Sequence, residues 1–127
     1  MEAFSYDPLT APDPEMWLGL DEDERKILIE SYHGDARIEV PNLTMHAALH
    51  AVVETQIAMG DALPIRRKMV SLLASGLDRH DAIHAIASVL ATHIYDLATG
   101  SAPGPEPNDA YFKAVKRLTA RRWLGQA

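Results

Sequence analysis

The 127-residue chain contains no cysteine, which excludes disulfide bonds, thiolate metal ligands and a cysteine nucleophile. A chain without disulfides fits the cytoplasm, and we expect a cytoplasmic protein. Its first residues, MEAFSYDPLTAPDP, have neither the basic nor the apolar stretch of a secretory signal. No apolar run approaches the roughly 18 residues that a membrane-spanning helix needs. The sequence therefore predicts a soluble protein without a membrane segment.

Several signatures of catalysis are absent as well. The chain has neither of the glycine-rich phosphate-binding patterns, G-x-G-x-x-G and G-x-x-x-x-G-K-S/T. It also lacks the G-x-S-x-G elbow that presents the nucleophile of α/β-hydrolases. Phosphate-loop chemistry and hydrolase chemistry of that type are therefore unsupported. The sequence leaves enzymatic activity open and gives more weight to a protein that is not an enzyme.

Charge is plentiful but unevenly distributed. The net charge is −6, yet residues 1–40 hold eleven acids and three bases, whereas residues 108–127 hold one acid and five bases. Opposite charges at the two ends favour attraction between them, within one chain or across a homodimer. Nucleic acid is disfavoured as a partner because phosphates repel an acidic chain. A nucleic-acid or membrane-surface role for the basic end is a minor alternative.

Hydrophobic residues recur with helical spacing along most of the chain, and no useful stretch alternates as a β-strand would. We therefore predict an all-α protein, a compact bundle of about five to six helices. Residues 1–12, with little periodicity, are expected to form a flexible arm, and residues 13–127 a single helical domain. Helix-capping residues are expected at Asp13, Asp21, Asn42 or Thr44, and Asp78. The helices are expected at 13–20, 20–33, about 43–59, 64–75, 79–99 and 110–124.

Two of these helices share a pattern at a constant offset of 34 residues. MHAALH (45–50) and RHDAIH (79–84) each contain His-x-x-x-His. Because 34 residues is the length of one helix–turn–helix repeat, we predict a 34-residue helical-hairpin repeat. The two helices would then run parallel, with 64–75 as the returning helix, and their histidines would lie at similar heights. The matched residues are Leu43 with Leu77, His46 with His80, Leu49 with Ile83, and His50 with His84.

The histidine pairs lie at the boundary between the apolar and the polar face of each helix. Residues advance about 100° each around a helix, so the members of one pair project from the same flank. Histidines at positions i and i+4 are neighbours and can bind one metal ion together. The candidate ligands are His46, His50, Glu54, His80 and His84. Such a set suits zinc or another divalent transition metal.

The two remaining histidines are left out of this set. His93 follows His84 by nine residues and therefore points to roughly the opposite side of the helix. His33 ends a predicted helix, where a cation interacts favourably with the helix dipole, and we interpret it as such a partner.

Boundary histidines also occur as packing residues that bond a carbonyl or a carboxylate across a seam between helices. This interpretation is slightly favoured. It describes a structural or protein-interaction module with a histidine-lined seam, which binds a protein partner or its own copy. The alternative is a divalent-metal-binding protein with hydrolytic activity. Metal analysis of protein purified without a histidine tag separates the two.

Four segments in combination resemble a known family. They are WLGLDEDER (17–25), YH (32–33), PNLTMHAALHAVVETQIA (41–58) and GLDRHDAIHAIASVL (76–90). In these segments the chain is similar to small bacterial proteins that carry the domain of unknown function 1841. The resemblance implies an all-helical fold and no known reaction. Through its histidines it implies the positions His46, His50, Glu54, Gln56, His80 and His84.

Overall fold

The structure is a computed structural model, and it describes residues 5–35, 43–101, 106 and 108–125. Within these residues the protein is all-helical, as predicted, with seven α-helices, a short 3₁₀ turn at Gly60–Ala62 and no strand. The helices are α1 (Pro14–Gly19), α2 (Glu22–Asp35), α3 (Leu43–Ala58), α4 (Ile65–Ala74), α5 (Arg79–Ala98), α6 (Asp109–Arg117) and α7 (Ala120–Gly125). No helix in this part of the chain is long and apolar enough to cross a bilayer.

Side-chain caps begin three of the helices where the sequence predicts them. The Asp13 carboxylate accepts a hydrogen bond from the Met16 backbone N–H at 3.0 Å. Asp78 accepts one from the Asp81 N–H at 2.7 Å. Asp21 and Glu24 each accept from the other's backbone N–H, a complete capping box. The predicted cap at Asn42 lies outside the described residues.

The prediction of one continuous last helix at 110–124 is wrong, because two helices occupy that stretch. Leu118 has an extended backbone, with ψ at 135°, and separates α6 from α7. The Thr119 hydroxyl then accepts a hydrogen bond from the Arg122 backbone N–H at 3.1 Å and caps α7. Leu118 is buried at this corner, so apolar spacing continues through a break in the helix and conceals it.

Two hydrophobic clusters form the core, and α3 lies between them. The larger cluster surrounds α5 and includes Ile83 and Ile86, together with Val53 of α3. The smaller cluster contains Tyr6, Trp17 and Ile29, which pack against Ala47 and Ala51 of α3. Helix α3 contacts α1, α2, α4 and α5. Its polar side chains therefore face several elements at once.

Residues 5–12 contain no helix. The sequence predicts a flexible arm there, but it does not predict the contacts that these residues make. Tyr6 is 4% exposed and belongs to the smaller hydrophobic cluster. Pro8 is also fully buried.

The acidic and basic ends of the chain do not form direct ion pairs with each other in the described residues, where the one ion pair is Glu54–Arg79. Helix α6 packs on α4 and α5, and α7 packs on α5. The basic helices are thus held by apolar contacts such as those of Tyr111 and Val115 in the larger cluster.

Candidate metal centre

Five histidines from three helices come together where α2, α3 and α5 meet. His33 lies near the end of α2, His46 and His50 lie one turn apart on α3, and His80 and His84 lie one turn apart at the start of α5. Within the pairs, the ring centroids are 4.4 Å apart for His46 and His50 and 4.3 Å apart for His80 and His84. Each i, i+4 pair therefore presents two neighbouring imidazoles, as the helical spacing requires.

The two pairs face each other, but their contacts do not follow the predicted repeat alone. The ring centroids of the matched residues His50 and His84 are 4.7 Å apart. Those of His46 and His84 are 4.9 Å apart, and those of His50 and His80 are 5.3 Å apart. The repeat with parallel helices is therefore not confirmed.

His33 joins the cluster, although its position at the end of a helix predicts only a partner for the helix dipole. Its ring centroid is 4.7 Å from that of His46 and 5.5 Å from that of His50. A signal was present in the sequence, because Glu30 and His33 form a Glu-x-x-His pattern that occurs in metal-binding helical bundles. Only the packing of α2 against α3 shows that this histidine belongs with the others.

The Nδ1 atom of His33 lies 2.8 Å from the Ile29 carbonyl oxygen. Because a carbonyl only accepts hydrogen bonds, Nδ1 must carry the proton. In the neutral ring the Nε2 atom then has a free lone pair. This Nε2 is buried and has no hydrogen-bond partner. A carbonyl that fixes one nitrogen and leaves the other for a metal is the usual arrangement of a ligating histidine.

Four of the histidines could bind a single ion. One ring nitrogen from each lies within 4.8 Å of those of the other three. Tetrahedral zinc with Zn–N bonds of about 2.0–2.1 Å holds its ligand nitrogens about 3.3 Å apart. The side chains would therefore have to move closer together to bind one ion. The four residues are His33, His50, His80 and His84.

Several ring nitrogens of the cluster are buried and have no hydrogen-bond partner in the described structure. His33 and His50 are 0% exposed. Both ring nitrogens of His50 and the Nε2 of His80 have no hydrogen-bond partner in the described structure, as is also true of His33 Nε2. A buried polar group without a partner destabilises a protein by about 1–3 kcal/mol. The arrangement is therefore unfavourable for the protein alone, and a ligand that binds these nitrogens would remove the penalty.

Burial lowers the pKa of four of the clustered histidines. Burial, followed by repulsion from the neighbouring histidines, lowers the pKa of His50 to about 2 and that of His84 to about 4. Burial also lowers the pKa of His46 and of His80, with His33 as the next cause. Metals bind the neutral imidazole, so this environment favours the ligating form at neutral pH.

His46 occupies the edge of the cluster. Its Nε2 lies 3.2 Å from the Nε2 of His84, so one ring donates a hydrogen bond and the other accepts it. His46 is half-buried, as are His80 and His84, whereas His33 and His50 are fully buried. The cluster thus has a closed side and a side that reaches solvent.

Glu54, a predicted ligand, has other partners. Its Oε1 accepts from Arg79 Nη2 at 2.6 Å, and its Oε2 accepts from Arg79 Nη1 at 2.7 Å. The Tyr6 hydroxyl also donates to Oε2 at 2.5 Å. Burial and the charge of Glu54 raise the pKa of Tyr6, so the hydroxyl keeps the proton that it donates. Both carboxylate oxygens are engaged, and His33 takes the place of Glu54 in the candidate ligand set.

His93 and Gln56 lie outside the histidine cluster. His93 stacks on Tyr111, with ring centroids 5.5 Å apart. Gln56 accepts a hydrogen bond from the Tyr111 hydroxyl at 2.6 Å. Neither belongs to the group of four histidines that could hold an ion.

Comparison with protein-family models gives a match over most of the chain. A family model described as a domain of unknown function (DUF1841) matches residues 9–117. This range contains α1 to α6 and all five clustered histidines. No curated protein and no solved structure matches the chain.

Proposed function

This chain belongs to the DUF1841 family, and we propose that it is a transition-metal-binding protein whose ligands are clustered histidines. The observation that carries the proposal is the group of four ring nitrogens within 4.8 Å of one another. The ligands are His33, through Nε2, together with His50, His80 and His84. His46 stands beside them, in contact with His84.

The competing interpretation, a seam of packing histidines, fits less well. In such a seam each buried ring nitrogen bonds a carbonyl or a carboxylate. Among the five clustered residues the described hydrogen bonds of this kind reduce to one, from His33 to the Ile29 carbonyl. The unpartnered nitrogens of His50 and His80 favour a missing ligand over completed packing.

The chemistry of the ligands limits which metal ions the site can bind. The set consists of imidazoles alone, since the chain has no cysteine and Glu54 is bound to Arg79. Imidazole suits zinc, nickel, copper and iron, whereas magnesium and calcium prefer oxygen ligands. We therefore expect binding of Zn²⁺ and Ni²⁺ and no binding of Mg²⁺ or Ca²⁺.

The half-buried side of the cluster is where a small molecule would approach. A bound divalent metal supplies Lewis acidity and lowers the pKa of a bound water. His46 lies on this side and is not needed to complete a four-nitrogen site. Hydrolytic activity, the finer prediction from the sequence, would use this side.

Metal content of tag-free protein tests the proposal. We expect one Zn²⁺ per chain by elemental analysis after zinc loading and gel filtration. The double variant His50→Ala/His84→Ala should bind none while its circular dichroism remains helical. His93→Ala, a buried histidine outside the cluster, is the matched control and should keep the metal. Substoichiometric zinc in the parent, with a melting temperature unaffected by chelator, would refute the proposal.

A further inference from the structure

A second polar cluster lies on the same two helices, directly beside the histidines. Glu54 follows His50 by one turn of α3, and Arg79 immediately precedes His80 on α5. The two side chains form a bidentate ion pair that is 1% exposed at Glu54 and 9% exposed at Arg79. The pair thus joins α3 to α5 next to the histidines that would share an ion.

The N-terminal residues 5–12, here called the strap, are bound to this ion pair. The Tyr6 hydroxyl donates to Glu54, and Arg79 Nη1 donates to the Pro8 carbonyl oxygen at 2.9 Å. Each member of the ion pair therefore holds one residue of the strap. The contacts span 48 and 71 residues of sequence, so they form only when the strap is docked on the folded bundle.

Aromatic contacts give the strap a second connection to the histidines. The rings of Tyr6 and Tyr32 meet edge to face, with centroids 6.2 Å apart. The ring centroid of Tyr32 in turn lies 5.8 Å from that of His80 and 5.5 Å from that of His33. Edge-to-face contacts of this kind depend on ring orientation, so the position of Tyr6 influences that of two candidate ligands through Tyr32.

Helix α3 needs polar contacts to fix its rotation. Its apolar side chains occur on both the buried and the exposed sides, since Val53 is fully buried while its neighbour Val52 is 41% exposed. Hydrophobic burial therefore discriminates poorly between rotations of this helix. A bidentate carboxylate–guanidinium pair, by contrast, has one favourable geometry. Rotation of α3 would break the pair and move His50 together with it.

We propose that Tyr6, Glu54 and Arg79 are positioning residues that couple docking of the strap to metal binding by the histidine cluster. With the strap docked, the ion pair holds α3 and α5 where His50 and His80 can share an ion. This inference rests on the proposed function. By reciprocity of linked equilibria, a metal that prefers the docked state stabilises the docked strap by the same factor.

Tyr6→Phe tests the coupling with the smallest change, because it removes one hydroxyl and keeps the ring. We expect it to weaken Zn²⁺ affinity about tenfold, within the usual range of coupling between sites. The Co²⁺-loaded variant should also show an altered visible absorption spectrum, a signature of changed ligand geometry. Tyr95→Phe, at a residue that is 67% exposed, is the matched control and should bind zinc and cobalt like the parent.

Hydrogen exchange of the unmodified protein tests the reverse direction and requires no variant to fold. The Thr10 backbone N–H donates to the Asp7 carbonyl oxygen at 3.0 Å within the strap. Saturating Zn²⁺ should slow exchange in this segment about tenfold, if it couples to docking as strongly as linked sites usually do. Mg²⁺ is the control ion and should leave exchange unchanged.

The outcomes separate this inference from the function on which it rests. A parent protein that binds no zinc refutes the metal centre and the coupling together. A parent that binds one zinc, with unchanged affinity in Tyr6→Phe and unchanged exchange in the strap, refutes the coupling alone. A variant with a lower melting temperature but parental zinc affinity and cobalt spectrum also refutes it, because the hydroxyl would then serve stability only.

Discussion

The two polar clusters on α3 and α5 are neighbours built in opposite ways. In the Glu54–Arg79 cluster, both carboxylate oxygens accept hydrogen bonds and the guanidinium also binds a backbone carbonyl. In the histidine cluster, buried nitrogens of three rings have no partner in the described structure. Buried polar groups are normally satisfied, and the Glu54–Arg79 cluster follows this rule whereas the histidine cluster does not. The same pair of helices thus carries a satisfied ion pair and the histidines that we propose as metal ligands.

Disruption of the Glu54–Arg79 ion pair should cause the largest change in stability. Glu54→Gln leaves the Arg79 guanidinium buried without its counter-charge, which destabilises proteins by about 3–5 kcal/mol. Urea unfolding at neutral pH measures the loss. The control is the double variant Glu54→Gln/Arg79→Met, which removes both charges and should recover a substantial part of the stability. A loss below about 1 kcal/mol in the single variant would show that the pair is solvated.

Zinc binding by the histidine cluster should have the next largest effect on stability, in the opposite direction. A ligand that binds only the folded state stabilises it by about 2.7 kcal/mol when its free concentration is 100 times its dissociation constant. Zn²⁺ should therefore raise the urea midpoint of the parent. It should not do so for His50→Ala/His84→Ala, which lacks two of the ligands. An equal shift in both proteins would place the zinc elsewhere.

Acid should destabilise the metal-free protein through the histidine cluster. In the unfolded chain His50 takes up a proton near pH 6.5, whereas in the folded protein its pKa is about 2. Between these values the unfolded state binds more protons, so stability falls as the pH decreases from 6.5. The contribution of His50 at pH 5 is about 2 kcal/mol. Urea unfolding of metal-free protein at pH 7.5, 6 and 5 measures this loss, and stability that is constant across the series would contradict the neutral cluster.

The two clusters also differ in how far the sequence could predict them. The i, i+4 spacing on two helices predicts the pairs His46–His50 and His80–His84, because local helix geometry determines that neighbourhood. The caps at Asp13 and Asp78 follow from similarly local rules. The all-α class follows from apolar periodicity. These features need no knowledge of how the helices pack.

Features that depend on how the helices pack could not be predicted from local sequence patterns. His33 enters the cluster only because α2 packs on α3. Glu54 looks like a ligand from its spacing after His50, but Arg79, 25 residues away, binds both of its oxygens. The contact between Tyr6 and Glu54 joins residues 48 apart. A single sequence does not show which distant partner occupies a polar group.

The smallest predicted effect separates stability from metal binding at His50, a fully buried histidine. His50→Leu replaces a ring whose two nitrogens have no hydrogen-bond partner with an apolar side chain of similar size. Removal of an unsatisfied buried polar group should increase the stability of the metal-free protein by about 1 kcal/mol at neutral pH. The variant should also lose zinc binding and show less acid destabilisation than the parent. The matched control is Ile29→Val, a trimmed apolar side chain of the smaller core, which should reduce stability and keep the metal. If His50→Leu instead destabilises the metal-free protein, His50 contributes packing that leucine cannot replace. The histidine cluster would then contribute to stability, as the Glu54–Arg79 pair does, despite its unpartnered nitrogens.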